Sequence, residues 1–262
     1  MRVLAIHGSP RKKGATYKML QRVEEGLKQH GDVDFEYLLL KDANLQLCGG
    51  CGACLTVGEE ACPLKDDREQ IQSRMLQADG VIFACPVYAM SIPWLMKNLL
   101  DRFAYAMHRP RFFSQRTMLL CTAGAVGLKD ALHTLSAVKY CGFDIVVRVG
   151  LATSMGTMSA ASQRKIEADL EQAVAQFHAA LVRDRRPPPT LSDLMAFRGQ
   201  QAVFQVLGEQ FPRDNAYFKE AGWFDPGRRY YVDAPVSPLK DMVARYVGAR
   251  TRAGIRKELG EG

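Results

Sequence analysis

The sequence predicts an α/β fold: a doubly wound, five-stranded parallel sheet in strand order 2-1-3-4-5, followed by a mainly helical carboxyl-terminal extension. Three observations carry that expectation. Five runs rich in apolar and β-branched residues each lead into a stretch with helical periodicity. Two of them, "GVIFA" and "TMLLC", are apolar without alternation, as strands are when helices cover both faces. The regularity then stops at "RDRRPPPT", where three consecutive prolines enforce an extended connection.

The first strand, Arg2 to His7, feeds a helix from Thr16 to Gln29. The second, Val33 to Leu40, is followed by a cysteine-rich segment and a helix from Asp66 to Ala78. The third, Gly80 to Ala84, precedes a helix from Ile92 to Ala106, and the fourth, Thr117 to Thr122, precedes one from Leu128 to Tyr140. The fifth, Asp144 to Leu151, precedes a helix from Ala160 to Arg183. Residues 1–182 thus make a sheet domain with a cysteine loop at 48–62, and residues 183–262 a proline-rich linker and a helical, aromatic-rich, basic extension. In the extension Leu191 to Gln210 reads as one helix, an irregular stretch runs through Trp223, Phe224, Tyr230 and Tyr231, and a last helix begins near Pro238. So many aromatics are expected to wrap the sheet domain or a second subunit, which suggests a homo-oligomer.

Composition sets the outer bounds. With 47% apolar and 24% charged residues the chain must build a core, which excludes disordered and fibrous classes. The charge of +7 favours anionic partners without the concentration expected of a nucleic-acid binder. The opening "MRVLAIHG" is too short an apolar run for a signal peptide, so a cytoplasmic protein is expected.

The first strand ends in "HGSPRKKGAT" before a helix. A strand, a glycine-containing loop and a helix amino terminus make an anion site, because unpaired amides and the positive dipole end converge there. Ser9 and Thr16 donate hydroxyl hydrogen bonds, Arg11 a charge-assisted one, and Gly14 lets the backbone turn closely. Neither G-x-G-x-x-G nor Gly-Lys-Ser/Thr is present, so the loop suits one phosphate rather than a dinucleotide or nucleoside triphosphate. At the next strand ends, Pro86, Val87 and Tyr88 offer rigid backbone and a ring to a planar heterocycle, while Thr122, Ala123 and Gly124 leave amides open to a ring carbonyl. Trp94 reads as packing, and His7 as a satisfied, partly buried histidine rather than a catalytic acid.

"GSPRKKGAT", "PVYAMSIPWLMKNLLDRF" and "TAGA", in that order, resemble the NAD(P)H-dependent FMN reductases of the flavodoxin-like superfamily. The cluster of Cys48, Cys51, Cys54 and Cys62 makes the resemblance strongest to the iron-sulfur flavoproteins. It implies FMN phosphate on Ser9, Arg11, Gly14, Ala15 and Thr16, and the isoalloxazine ring against Pro86 to Tyr88 and Thr122 to Gly124. One position departs from the pattern: Ala15 stands where the family usually has Asn, removing a phosphate contact for which the charge of Lys12 or Lys13 is the candidate replacement.

Cys48, Cys51, Cys54 and Cys62 form C-x2-C-x2-C-x7-C followed by Pro63, close to the ferredoxin run but with a longer last interval. Two successive two-residue gaps let three thiolates point around one cubane, and Gly49, Gly50 and Gly52 leave the backbone amides room to approach the sulfurs. A [4Fe-4S] cluster is the leading reading. Zinc, disulfides and an empty set of cysteines stand beside it. Cys85, Cys121 and Cys141 lie among apolar neighbours and read as packing.

In the last helix Leu239, Met242, Val243, Tyr246 and Val247 form an apolar stripe, with Lys240, Arg245, Arg250, Arg252, Arg256 and Lys257 around it. The expectation is that the stripe docks on the sheet domain or across a dimer, with peripheral membrane contact the lesser reading. The function expected is an oxidoreductase in which FMN takes electrons from NAD(P)H and passes them, through the cluster, to an unidentified acceptor such as ferredoxin or a quinone. No side chain is assigned as nucleophile or general base. The alternatives are a cluster-free quinone, azo or nitro reductase, and a flavodoxin-like carrier that turns over no small substrate.

Overall fold

The computed structural model describes residues 1–153 and 158–260, which leaves the last two positions of the extension outside it. The chain divides into two compact units, Met1–Gly49 with Leu64–Arg183, and Gly50–Pro63 with Asp184–Gly262. In chain order the described helices are α1 (Ala15–His30), α2 (Ala53–Thr56), α3 (Arg68–Gln77), α4 (Trp94–Arg102), α5 (Ala104–His108), α6 (Leu128–Leu135), α7 (Ala160–Leu181), α8 (Leu191–Val206), α9 (Pro212–Glu220) and α10 (Pro238–Glu258). Short 3₁₀ turns lie at Glu59–Ala61 and Ser136–Cys141.

The first unit is the sheet. Strands β1 (Arg2–His7), β2 (Asp34–Leu39), β3 (Gly80–Pro86), β4 (Arg116–Ala123) and β5 (Asp144–Ala152) pair in parallel in the order β2-β1-β3-β4-β5, the flavodoxin-like topology expected from the sequence. Every residue of β3 and all but the first of β4 are buried, whereas the outer strands β2 and β5 mix buried and open positions. That contrast is why the central runs read as continuously apolar. On one face Leu20, Val23 and Leu27 of α1 and Ile166, Leu170, Val174 and Phe177 of α7 pack with Val3, Ala5, Ile82, Ala84, Met118 and Leu120. Each of the Val, Leu, Ile, Met and Phe side chains among them, fully buried, contributes roughly 1.5–3 kcal/mol of transfer free energy. On the other, Phe112 stacks on Phe143 at 4.4 Å and Phe83 meets Phe143 edge-on at 5.2 Å.

Several boundaries differ from the sequence reading. The helix expected over 92–106 breaks at Phe103 (φ −109°, ψ 17°), and the break lets both Phe103 and Tyr105 bury. The helix over 128–140 finishes as a 3₁₀ turn. The stretch read as irregular contains α9, which opens on Pro212 with Asp214 in its first turn, a start signal overshadowed by the surrounding aromatics.

The second unit has its own core. Thr190 caps α8 in a reciprocal box with Asp193, and α2 packs on α9. Trp223 meets Phe218 and Tyr231 edge-on at 4.9 and 4.8 Å and donates its indole N–H to the Tyr231 carbonyl at 2.9 Å. α10 packs on α8 through Asp241, Ala244 and Gly248. A Cβ at Gly248 would stand 2.9 Å from the Arg198 Cβ, so glycine sets how closely the helices approach. Asp241 accepts from Arg198 at 2.7 Å in a largely buried pair. The face of α10 that packs on α8 is thus the one carrying Ala244 and Gly248, while Leu239, Met242, Val243 and Tyr246 of the apolar stripe are exposed in the single chain. Among the described residues no helix is long and apolar enough to cross a membrane.

Candidate functional site

The carboxyl ends of β1, β3 and β4 open into a cavity of about 500 Å³. Its lining brings together Ser9, Arg11, Gly14, Ala15, Thr16, Pro86, Val87, Tyr88, Thr122, Ala123 and Gly124, and adds Thr153, which the sequence reading missed. Thr153 follows β5 and donates its N–H to the Ala123 carbonyl at 2.8 Å. Its only sequence signal is its place just beyond a strand end.

In the β1 loop the Ser9 side chain is buried and its Oγ accepts from the Arg11 N–H at 3.1 Å. Gly14 precedes α1, and no side chain caps that helix. The first-turn N–H groups and the positive dipole end thus face the cavity side of the loop with their donor capacity unspent on a cap. Thr16 and Thr122 share a buried hydroxyl–hydroxyl hydrogen bond of 2.7 Å, which ties α1 to the end of β4. Lys12 forms a half-exposed ion pair with Asp42 at 2.8 Å, so part of its charge is already compensated, while Lys13 is exposed.

The β3 and β4 loops are joined. The Val87 N–H donates to the Thr122 carbonyl at 2.7 Å. Tyr88 and Ser91 exchange backbone hydrogen bonds of 2.9 Å across a turn whose central residues, Ala89 (φ 47°) and Met90 (φ 64°), are left-handed. Neither is glycine, and each carries a cost of about 1 kcal/mol that this tight reversal sustains. Nothing in the sequence announces it, because primed turns usually carry Asn or Gly. Gly127 (φ 86°) sits against this turn: a Cβ there would lie 2.8 Å from Val87 Cγ1 and 3.0 Å from Met90 Cα. Trp94, expected to be packed, is exposed at the start of α4.

His7 is wholly buried, and among the described residues neither ring nitrogen has a hydrogen-bond partner. Tyr17 meets it edge-on at 5.8 Å. Burial pushes its pKa down to about 4, so the imidazole is neutral at physiological pH. A histidine whose folded pKa lies below its unfolded value leaves stability intact above pH 6.5 and removes it as the pH falls towards 4. The denaturation midpoint is expected to fall across that window by the equivalent of at most about 3 kcal/mol. The slope should flatten in His7→Leu; a slope unchanged in that variant would assign it to other groups.

Cys85 and Cys121 are opposed across the β3–β4 ladder with sulfurs 3.9 Å apart, both buried. Their mutual hydrogen bond and burial hold the Cys85 thiol well above its ordinary pKa, and burial pushes Cys141 up to about 12. Cys85 and Cys141 are therefore protonated at neutral pH, and all three buried cysteines act as packing groups.

The four clustered cysteines differ. Cys48 and Cys51 are exposed and Cys54 and Cys62 half-buried. Cys48 belongs to the first unit and the other three to the second. Gly50 and Gly52 adopt left-handed φ of 66° and 73°, and Gly52 leads into α2. The loop's stem is closed by hydrogen bonds invisible in the sequence. Asn44 and Gln46 donate backbone N–H to Asp67 and Asp66 at 2.8 and 2.9 Å, and Arg102 grips Asp66 with two bonds of 2.8 Å. Buried Asn98 accepts from the Cys48 N–H at 3.0 Å and donates to the carbonyls of Leu45 and Gln46. Among the described residues no three His, Cys, Asp or Glu side chains converge on a single-ion site.

Comparison with known proteins places this geometry. Residues 1–157 match the model of the NADPH-dependent FMN reductase family. An iron-sulfur flavoprotein of Archaeoglobus fulgidus is 26% identical over 225 residues, 85% of this chain and the whole of that protein. One from Clostridioides difficile is 28% identical over 79% of this chain and 91% of its own length. Among solved structures, an NAD(P)H:quinone oxidoreductase from Methanothermobacter marburgensis superposes with a TM-score of 0.55 at 18% identity, covering 71% of this chain and 98% of that one. At that identity the likeness concerns the fold alone.

Proposed function

The chain belongs to the NADPH-dependent FMN reductase family, and from that premise we propose that it passes electrons from NAD(P)H, through FMN and a [4Fe-4S] cluster on Cys48, Cys51, Cys54 and Cys62, to a separate acceptor. The observation that carries the flavin part is the cavity at the carboxyl ends of β1, β3 and β4, closed on one side by the uncapped amino terminus of α1. When bound, FMN supplies the chemistry, accepting two electrons from the nicotinamide and giving them up singly or in pairs. The protein's part is to hold and orient. Ser9, Arg11 and Thr16 donate to the phosphate, with Gly14 and Ala15 giving it open backbone. Pro86 to Tyr88 and Thr122 to Gly124 flank the ring, and the Thr16–Thr122 bond keeps the phosphate and ring halves in register.

The cysteine part is supported by ligand type and spacing, by the closed stem that pins the segments on either side of the loop, and by the names of the relatives. Ferredoxin or a quinone is the acceptor this reading proposes, and a homo-oligomer its assembly. A second reading dispenses with the cluster: Met90, Trp94 and Val126, on the segments just beyond the β3 and β4 loops, are exposed apolar groups that suit a small aromatic acceptor such as a quinone, azo or nitro compound.

The phosphate loop is tested by comparing FMN with riboflavin in fluorescence titrations. With two or three charge-assisted bonds to the phosphate, each worth about 1.5–3 kcal/mol, riboflavin is expected to bind at least a hundredfold more weakly. Equal affinities would remove the loop from the site.

A further inference from the structure

We infer that the outward face of α10 is a docking surface for an anionic phospholipid bilayer, with the helix lying in the plane of the interface. This rests on the extension alone and is independent of the flavin reading. The inward face is already spent: Asp241, Ala244 and Gly248 pack on α8, and Asp241 is neutralised by Arg198. Directly opposite, Leu239, Met242, Val243 and Tyr246 recur at helical spacing and remain 66%, 60%, 38% and 67% exposed. That line continues along the helix into Arg250, Ala253 and Lys257, all exposed, and is flanked by exposed Lys240 and Arg245. Arg256 adds a further exposed cation. The helix carries two acids, and with Asp241 turned inward the outer surface keeps only Glu258 in its last turn.

The arrangement matches a lipid interface layer by layer. An apolar patch of four side chains enters the acyl boundary, the tyrosine hydroxyl stays at headgroup depth, and the long basic side chains reach the phosphates around it. The other occupants fit less well. Pairing this face with the same face of a second copy sets Lys240, Arg245, Arg250 and Lys257 against their own kind, with Glu258 as the one acid on the outer surface of the helix. An acidic protein surface would have to bury carboxylates against the apolar stripe. The extension also concentrates the chain's excess charge, with 14 Lys and Arg against 10 Asp and Glu in residues 183–262.

The test is flotation of the full chain with vesicles of phosphatidylcholine alone or with 30% (about one lipid in three) phosphatidylglycerol, an anionic fraction giving a strongly negative surface. Binding is expected to the anionic vesicles only, weakening on going from low salt to physiological ionic strength. Met242→Ser with Tyr246→Ser should lower it about tenfold, and Arg250→Gln with Lys257→Gln about twenty-five-fold, since each basic group near the surface accounts for roughly a fivefold change. Circular dichroism and an intact thermal transition would show both double variants folded, because the substituted side chains are solvent-facing. Failure of the full chain to float, equal binding to both vesicle types, or unchanged binding by the folded variants would each overturn the inference. So would a fall in oligomeric state caused by the serine variant, which would assign the stripe to a second copy.

Discussion

Replacing Gly127 with alanine is expected to destabilise the folded chain by about 2–4 kcal/mol and to weaken FMN binding. Two effects add. At φ 86° a side chain is strained, which costs about 1 kcal/mol. The new Cβ would also stand 2.8 Å from Val87 Cγ1 and 3.0 Å from the Met90 backbone, and relief of such overlap costs about 1–3 kcal/mol. The contact that must give is the Val87–Met90 turn, which has no slack: Ala89 and Met90 are already left-handed, and Val87 is held to the Thr122 carbonyl. Displacing it moves Val87 and Tyr88 away from the place where the ring would lie. Gly199→Ala, where nothing lies within 4 Å of the added methyl, is the control and should leave FMN affinity unchanged. Equal titrations for the two variants would show that loop packing around Gly127 does not shape the site.

Serine at Cys48, Cys51, Cys54 or Cys62 is expected to take iron from about four atoms per chain to near zero after anaerobic reconstitution, while FMN content stays at wild-type level. A hydroxyl is too weakly acidic and too hard a donor to replace a thiolate at an iron corner, and a cubane short of one ligand is readily lost. The flavin should survive because none of the four cysteines lines the cavity. Cys141→Ala, a change at a buried thiol whose titration range lies far above neutral pH, should leave the iron in place. Zinc rather than iron in the reconstituted wild-type chain, or iron unaffected by all four serines, would remove the cluster from the account.

What the sequence made legible follows from where burial leaves a mark. The central strands and the strand order were readable because a strand covered on both faces cannot alternate, as in "GVIFA" and "TMLLC". The cavity lining was readable because loops that follow directly from neighbouring parallel strand ends meet at one edge of the sheet, so eleven residues proposed from three short motifs line one space. Side-chain partnerships across the chain leave no such mark. Asn98 and Arg102 look like ordinary polar positions of a helix, yet one holds the Cys48 amide and the other Asp66. The turn at Ala89 and Met90 violates the composition expected of a left-handed pair, which is why it was invisible. α10 shows a different limit: its apolar stripe was conspicuous, but Ala244 and Gly248 allow a closer approach to α8 than the larger residues do, and the Asp241–Arg198 pair fixes that choice.

The central claim, that this cavity brings FMN and a nicotinamide together for electron transfer, is tested most directly by anaerobic titration of the FMN-loaded chain. The visible flavin absorbance should bleach on addition of NADPH or NADH and return on exposure to a quinone. If bound FMN bleaches with dithionite but with neither nicotinamide, the reductase account is contradicted and a carrier reduced by another protein takes its place.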